Sequence, residues 1–289
     1  MKEIFPKFIF NELKKNKNIK ILLGDIGVYG FSQVFKKYKK NILNFGVMEQ
    51  TMMSFACGMA LKKKIPFIHT IAPFLVNRAF EQIKIDACYQ NLNVNIISTG
   101  ASIDYAPLGP THHCPEDIGV LNNLPNIKIF IPGNSTEFKE CLKQYKMKSP
   151  KYYRMSKFTH SLKIKVMNNY KVLKKGKRGL IIIIGPSLRF IENFYNEIDA
   201  NIIYLNCINH EKLKILKKFY KRKIILIQDF YIETITGSIL SVFEQRPICL
   251  KEIGLPKFFF KDHGRAEDYY KRYNLTSNKI KLAIKSFFY

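Results

Sequence analysis

EQTMMSFACGMALKKKIPFIHTI, from Glu49 to Ile71, changes its period part-way along. Met48, Met52, Ala56 and Ala60 fall four apart, so Glu49 to Lys62 is expected to be a helix with one apolar face. After the lysines, PFIHTI is a compact apolar run of strand length. Upstream, IKILLGD is another such run, closed by Gly-Asp. Strand, helix, strand in this order predicts a parallel sheet with crossover helices. Downstream, Asn77 to Gln90 again has helical spacing, and NVNIIS and IKIFIP read as further strands.

The alternation stops between residues 160 and 178, where the chain is polar and basic without a long periodic segment. It restarts with GLIIIIGPS, ANIIYLNC and KRKIILIQDF as strands. GPSLRFIENFYNEI, HEKLKILKKFYK and ITGSILSVFEQR are the expected helices after them. The reading is an α/β protein of two domains, each a mostly parallel sheet flanked by helices. Residues 1–165 form the first, 166–177 a linker with room for an edge strand, and 178–289 the second. A chain of 289 residues suits two domains at about 150 residues each.

Lysine and arginine outnumber aspartate and glutamate 48 to 22, for a formal charge of +26. The basic residues are scattered through KKNKNIK, KKYKK, LKKK and LKKGKR rather than gathered on one stretch. That distribution argues against a nucleic-acid footprint and for a Lys-rich composition. Six cysteines without a CxxC pair imply neither a zinc site nor a disulfide framework, and fit a reducing cytoplasm. No apolar run approaches the ~20 residues of a membrane span.

Three stretches have the residue types for chemistry. Glu49 stands among Met, Phe, Ala and Gly at an expected helix start. The helix dipole favours its anion and apolar surroundings favour its neutral form, a balance suited to proton exchange. A plain first-turn acid facing water fits the pattern equally well. In YAPLGPTHHCPEDIG, the turn at Gly109-Pro110 would present Thr111, His112 and His113 on a loop after a parallel strand, where such sheets place ligands. Adjacent histidines point apart, so one could orient a substrate hydroxyl or carry a proton, but the pair is a poor metal site. In IAPFLVNRAFEQI, Phe74 begins a helix and is either core or a stacking surface; Arg78, Glu81 and Gln82 read as packing or interface residues. No Gly-rich phosphate cradle is present, and GDIGVYG, with Asp25, lacks the required spacing.

Taken in order, these motifs resemble the transketolase family, and more narrowly its C-terminal portion, which some organisms encode as a separate subunit. NFGVMEQTMMSFACGMAL is similar to the family's Gly-x-x-Glu-Gln helix. IAPFLVNRAFEQI is similar to its Phe-x-x-Arg-Ala-x-Glu-Gln segment, and LGPTHHCPEDI to its Gly-Pro-Thr-His loop. NIKIFIPGNSTE and DHGRAEDYYKRYNLTSNKI extend the likeness over nearly the whole chain. The resemblance implies thiamine diphosphate as cofactor, split between two chains. A partner N-terminal subunit carrying a GDG…Asn motif would hold the diphosphate through Mg2+ or Ca2+. This chain would cover the aminopyrimidine, as a pyrimidine-binding fold followed by a transketolase C-terminal fold that supports assembly.

Residue by residue, the resemblance makes Glu49 the acid that hydrogen-bonds the aminopyrimidine ring. Phe74 becomes the ring-stacking aromatic, Asp25 a cofactor contact, His112 the catalytic, substrate-facing histidine and Lys157 a substrate-phosphate ligand in YYRMSK. It implies a transferase that moves a two-carbon ketol unit from a ketose to an aldehyde. That enzyme would be active only with its partner, in a two-plus-two assembly that also pairs this chain with a second copy. A pyruvate-using synthase of 1-deoxyxylulose 5-phosphate and a non-catalytic assembly subunit are the competing expectations. Three departures bear on substrate: Leu108 stands where the family has Asp, Gly100 where it has His, and Ile71 where it has a second aromatic. Lys157 also replaces a bidentate guanidinium by a point charge. An unusual sugar or sugar phosphate is therefore expected.

Overall fold

The computed structural model describes residues 1–166, 170–208, 213–244 and 246–289. Two sheets organise it. The first contains β1 (Ile19–Leu23), β2 (Ile42–Asn44), β3 (Ile65–Ile71), β4 (Asn95–Thr99), β5 (Lys128–Phe130), β6 (Lys151–Arg154) and β10 (Cys207–Ile208), in the order β10-β5-β6-β4-β3-β1-β2. All its pairings are parallel except β10 on β5. The second contains β7 (Tyr170–Lys174), β8 (Leu180–Ile184), β9 (Asn201–Leu205), β11 (Lys223–Tyr231) and β12 (Cys249–Leu255), in the order β12-β11-β8-β9-β7. Only its edge strand β7 is antiparallel. The α/β class with mostly parallel sheets is as expected.

Strand alternation divides the core. Ile21, Phe67, Ile97 and Tyr153 point to one face of the first sheet. Phe5, Phe8, Ile9 and Leu13 of helix α1 (Ile4–Lys15) cover them, with Val34 of helix α2 (Ser32–Lys37) in the same cluster. Leu22, Ile68, Ile96 and Tyr152 point to the other face, against Met52, Met53 and Ala56 of helix α3 (Glu49–Leu61). This second cluster continues through Leu180, Ile182, Ile184, Ile203, Ile224 and Leu226, which form one face of the second sheet. One apolar core therefore runs between the two sheets.

The opposite face of the second sheet packs on helices Ala266–Arg272 and Ser277–Phe288 through Tyr269, Tyr270, Ile280 and Ile284. The expected helix GPSLRFIENFYNEI is instead two 3₁₀ turns, Gly185–Phe190 and Tyr195–Glu197. Its apolar residues explain the difference: Leu188, Ile191 and Phe194 are three apart, and the bonds Ile191 to Leu188 and Phe194 to Ile191 span three residues. HEKLKILKKFYK is likewise 3₁₀ over Lys214–Phe219; its first three residues lie outside the described ones, as do residues 167–169 of the linker and Gln245. No helix among the described residues is long and apolar enough to cross a membrane.

A buried ion network ties the sheets together. Arg154, at the end of β6, donates from Nε to Asp117 at 2.8 Å, from Nη1 to Asp229 of β11 at 3.0 Å and from Nη2 to Ser102 at 2.5 Å. Tyr152 adds a bond to Asp117 at 2.8 Å. Asp104 lies close by, buried, and accepts from Ser156 at 3.2 Å and from the Lys157 backbone at 2.7 Å. Burial pushes its pKa from 3.8 up to about 7, partly opposed by the Lys157 backbone bond. The folded state thus holds a proton there that the unfolded chain releases, so this contribution favours folding at low pH and is lost as pH rises from about 3.8 to about 7. Burial lowers His69 to about 4, which acts in the opposite sense between about 4 and 6.5. The difference between wild type and Asp104→Asn isolates the first effect. Urea denaturation is expected to show the variant gaining stability relative to wild type as pH is raised from about 4 to about 8, across the window of that shift. A pH-independent difference would contradict the burial argument.

Candidate active site

Glu49 is the first residue of α3, and its side chain is only 1% exposed. Oε2 accepts from Arg78 Nη1 at 2.6 Å. Oε1 is buried and has no hydrogen-bond partner. The open alternative of an acid facing water is thereby excluded. A buried carboxylate oxygen without a donor is costly, and such an atom calls for a donor from outside the chain.

The helical stretch after β3 supplies the next two groups. It begins as a π-helix, Phe74–Arg78, passes through one α turn, Phe80–Gln82, and continues as a π-helix, Ile83–Tyr89. Phe74 and Arg78 are four residues apart and share a side, and the guanidinium carbon lies 4.6 Å from the centre of the Phe74 ring. Phe74 is half-buried and meets the His112 ring edge-on at 5.2 Å. Glu49, Arg78, Phe74 and His112 therefore form one continuous row.

His112 belongs to the loop after β4, as its turn residues predict. Its Nδ1 lies 3.0 Å from Thr111 Oγ1, and Tyr105 stands 6.3 Å away, edge-on. His113 points elsewhere, into a buried site against Phe260 and Tyr269, where burial lowers its pKa. Gly100, at φ +81°, has no room for a side chain: a Cβ there would overlap the Tyr105 ring. Tyr105 thus fills the space beside Gly100, and Leu108 is exposed on the same loop.

The other two candidates stand apart from this row. Asp25 is exposed; its carboxylate accepts from Asn44 Nδ2 at 3.0 Å and its backbone N–H donates to Asn44 Oδ1 at 3.0 Å. Lys157 is exposed and is fixed through its backbone bond to Asp104, with its ammonium 5.7 Å from the Phe158 ring. No hydrogen bond or ring contact among the described residues joins either to Glu49 or His112. Arg78 is the residue that sequence reasoning underrated. Its signal was a basic group on an apolar helix, four residues after Phe74, where a buried acid would need a counter-charge.

Around Glu49, α3 and the following helix expose apolar side chains. Val47 is 66% exposed, Leu61 58% and Tyr89 82%, with Met48, Phe55 and Ile85 also exposed. Such a patch, around a buried acid, has the composition of an interaction surface.

Residues 1–158 match the pyrimidine-binding domain of transketolase. The chain belongs to the transketolase family. Relatives encoded in pieces are among its matches. One of the two named parts of an apulose-4-phosphate transketolase from Actinobacillus succinogenes is 38% identical over 107 residues, 37% of this chain and 34% of that one. A protein of Methanocaldococcus jannaschii described as a transketolase C-terminal section is 27% identical, over 92% of this chain and 89% of its own. A solved structure described as a split gene transketolase, an inactive beta4 tetramer, superposes with a TM-score of 0.83 at 24% identity, covering 99% of this chain and 97% of that one. The last likeness is one of fold.

Proposed function

We propose that this chain is the C-terminal subunit of a split, thiamine diphosphate-dependent transketolase, moving a two-carbon ketol unit from a ketose or its phosphate to an aldehyde. The observation that carries the reading is the Glu49 carboxylate, buried, held on one oxygen by Arg78 and open on the other. The unpartnered oxygen suits a ring nitrogen of an aminopyrimidine, and Phe74 offers an aromatic surface to the same ring. When bound, thiamine diphosphate supplies the carbanion chemistry. Glu49 then holds or moves a proton at the pyrimidine, while Arg78 keeps its carboxylate oriented. His112 hydrogen-bonds the sugar, Lys157 attracts a substrate phosphate, and Asp25 lies towards the cofactor. Residues 1–165 act as the pyrimidine-binding unit, 166–177 as the linker and 178–289 as the C-terminal unit.

The diphosphate and its Mg2+ or Ca2+ fall to a partner subunit carrying the GDG…Asn motif. The exposed apolar surface around Glu49 is where that partner, and a second copy of this chain, would close the site. Leu108 and the Tyr105-filled space beside Gly100 favour a sugar lacking the hydroxyl arrangement of ordinary pentose phosphates, since a lost polar partner weakens selection for that hydroxyl.

Calorimetry tests the division of labour. Thiamine diphosphate with Mg2+ is expected to bind this chain alone weakly and the reconstituted pair at least a hundredfold more tightly. Tight binding by the lone chain would overturn the split-site reading. Labelled ketose then distinguishes transfer from pyruvate ligation: carbon dioxide release from labelled pyruvate, without ketol transfer, would replace the transketolase reaction by the synthase one.

A further inference from the structure

The second unit reaches the His112 loop. The ring of His263, from the stretch before helix Ala266–Arg272, lies directly on Gly109: a Cβ at that glycine would overlap the imidazole. His263 Nδ1 is 3.4 Å from the carbonyl oxygen of Pro107. Gly109 has φ +76°, a conformation that glycine adopts freely, and its carbonyl accepts the His112 backbone N–H at 3.0 Å. On the other side of His112, the His113 ring packs edge-on against Phe260 at 6.2 Å and Tyr269 at 5.8 Å. The loop is thus held both before and after His112 by residues 260–269. The contacts of the His112 side chain itself are with first-unit groups, Phe74, Tyr105 and Thr111.

We propose that His263 is a positioning residue for His112, so that the second unit shapes the substrate end of the site as well as assembly. The proposal rests on His112 being the substrate-facing histidine. Physically, the His263 ring blocks rotation of the Pro107–Gly109 turn, and its Nδ1–H donates to the Pro107 carbonyl in that tautomer. The turn in turn sets the His112 backbone through the Gly109 carbonyl. A loop left free at a glycine would sample several directions for the His112 ring, and a displacement of about 1 Å at a reacting group costs up to about a hundredfold in rate.

The test uses the full chain first. Histidine ring resonances are recorded for wild type, His263→Ala and His263→Asn, with His112→Gln to assign the His112 signal. His263 is exposed, so the variants are expected to keep the wild-type melting temperature. The His112 resonance is expected to shift and broaden in His263→Ala and to return towards wild type in His263→Asn, which restores a donor to Pro107. An unmoved resonance in His263→Ala overturns the proposal, whatever the enzyme does. The reconstituted pair is then assayed. His263→Ala should lower kcat/KM for the sugar by roughly tenfold, mostly through KM, with thiamine diphosphate affinity unchanged. Loss of activity in His112→Gln but none in His263→Ala also overturns it. If the resonance moves while neither variant alters turnover, the positioning stands and the assignment of His112 to substrate falls.

Discussion

Glu49→Gln is expected to lower turnover of the reconstituted enzyme at least a hundredfold while the chain keeps its fold. The substitution preserves shape and leaves an oxygen for Arg78, but removes the carboxylate that exchanges a proton with the cofactor ring. Positioned proton donors and acceptors contribute about a hundredfold to ten-thousandfold. Stability should change little, because the Arg78 side chain is 41% exposed and water can replace the lost ion pair. Single-turnover and steady-state rates, with a thermal melt as control, decide the matter. Unchanged turnover would remove Glu49 from the chemistry and leave a purely assembling role as the better reading.

The second large effect concerns stability. Arg154→Ala is expected to destabilise the chain by about 3–5 kcal/mol, the usual cost of removing one partner from a buried ion network. Arg154 is fully buried and its loss strands Asp117 and Asp229, both also buried. Arg154→Lys should recover only part, since one ammonium cannot reach three partners in the directions that a guanidinium does. Because Asp229 belongs to the second sheet and Asp117 to the first unit, urea transitions followed by probes in each sheet should move together. A loss below about 1 kcal/mol, the range of a solvent-exposed pair, or movement of one sheet alone, would show that the network does not couple them.

Much of the architecture was legible in the sequence. Runs such as GLIIIIGPS and IKILLGD are apolar at successive positions because both faces of their strands are covered, and that pattern is hard to mistake for anything but buried strand or helix. Length and turn residues then favoured strand. The 185–198 segment misled because its three-residue apolar spacing is close to the helical one, and only packing against the second sheet selects the tighter turn. Phe74 and His112 could be picked out locally, as residues at a helix start and on a loop after a strand. The burial of Glu49 could not: it depends on Arg78, 29 residues away, and on the body of the sheet behind α3. The Arg154 network was equally hidden, because Ser102, Asp117 and Asp229 come from three separate elements.

Strand β10 carries a last consequence, for how this protein can be cut. Its two residues, Cys207 and Ile208, come from the second half of the chain yet close the border of the first sheet by pairing with Phe130 and Ile129. A fragment ending near residue 165 would leave β5 with bare amide and carbonyl groups, the kind of open border on which chains stack and precipitate. Anyone wishing to express the pyrimidine-binding half by itself would need to redesign that border, with a charged or proline-bearing cover, before the fragment could remain in solution.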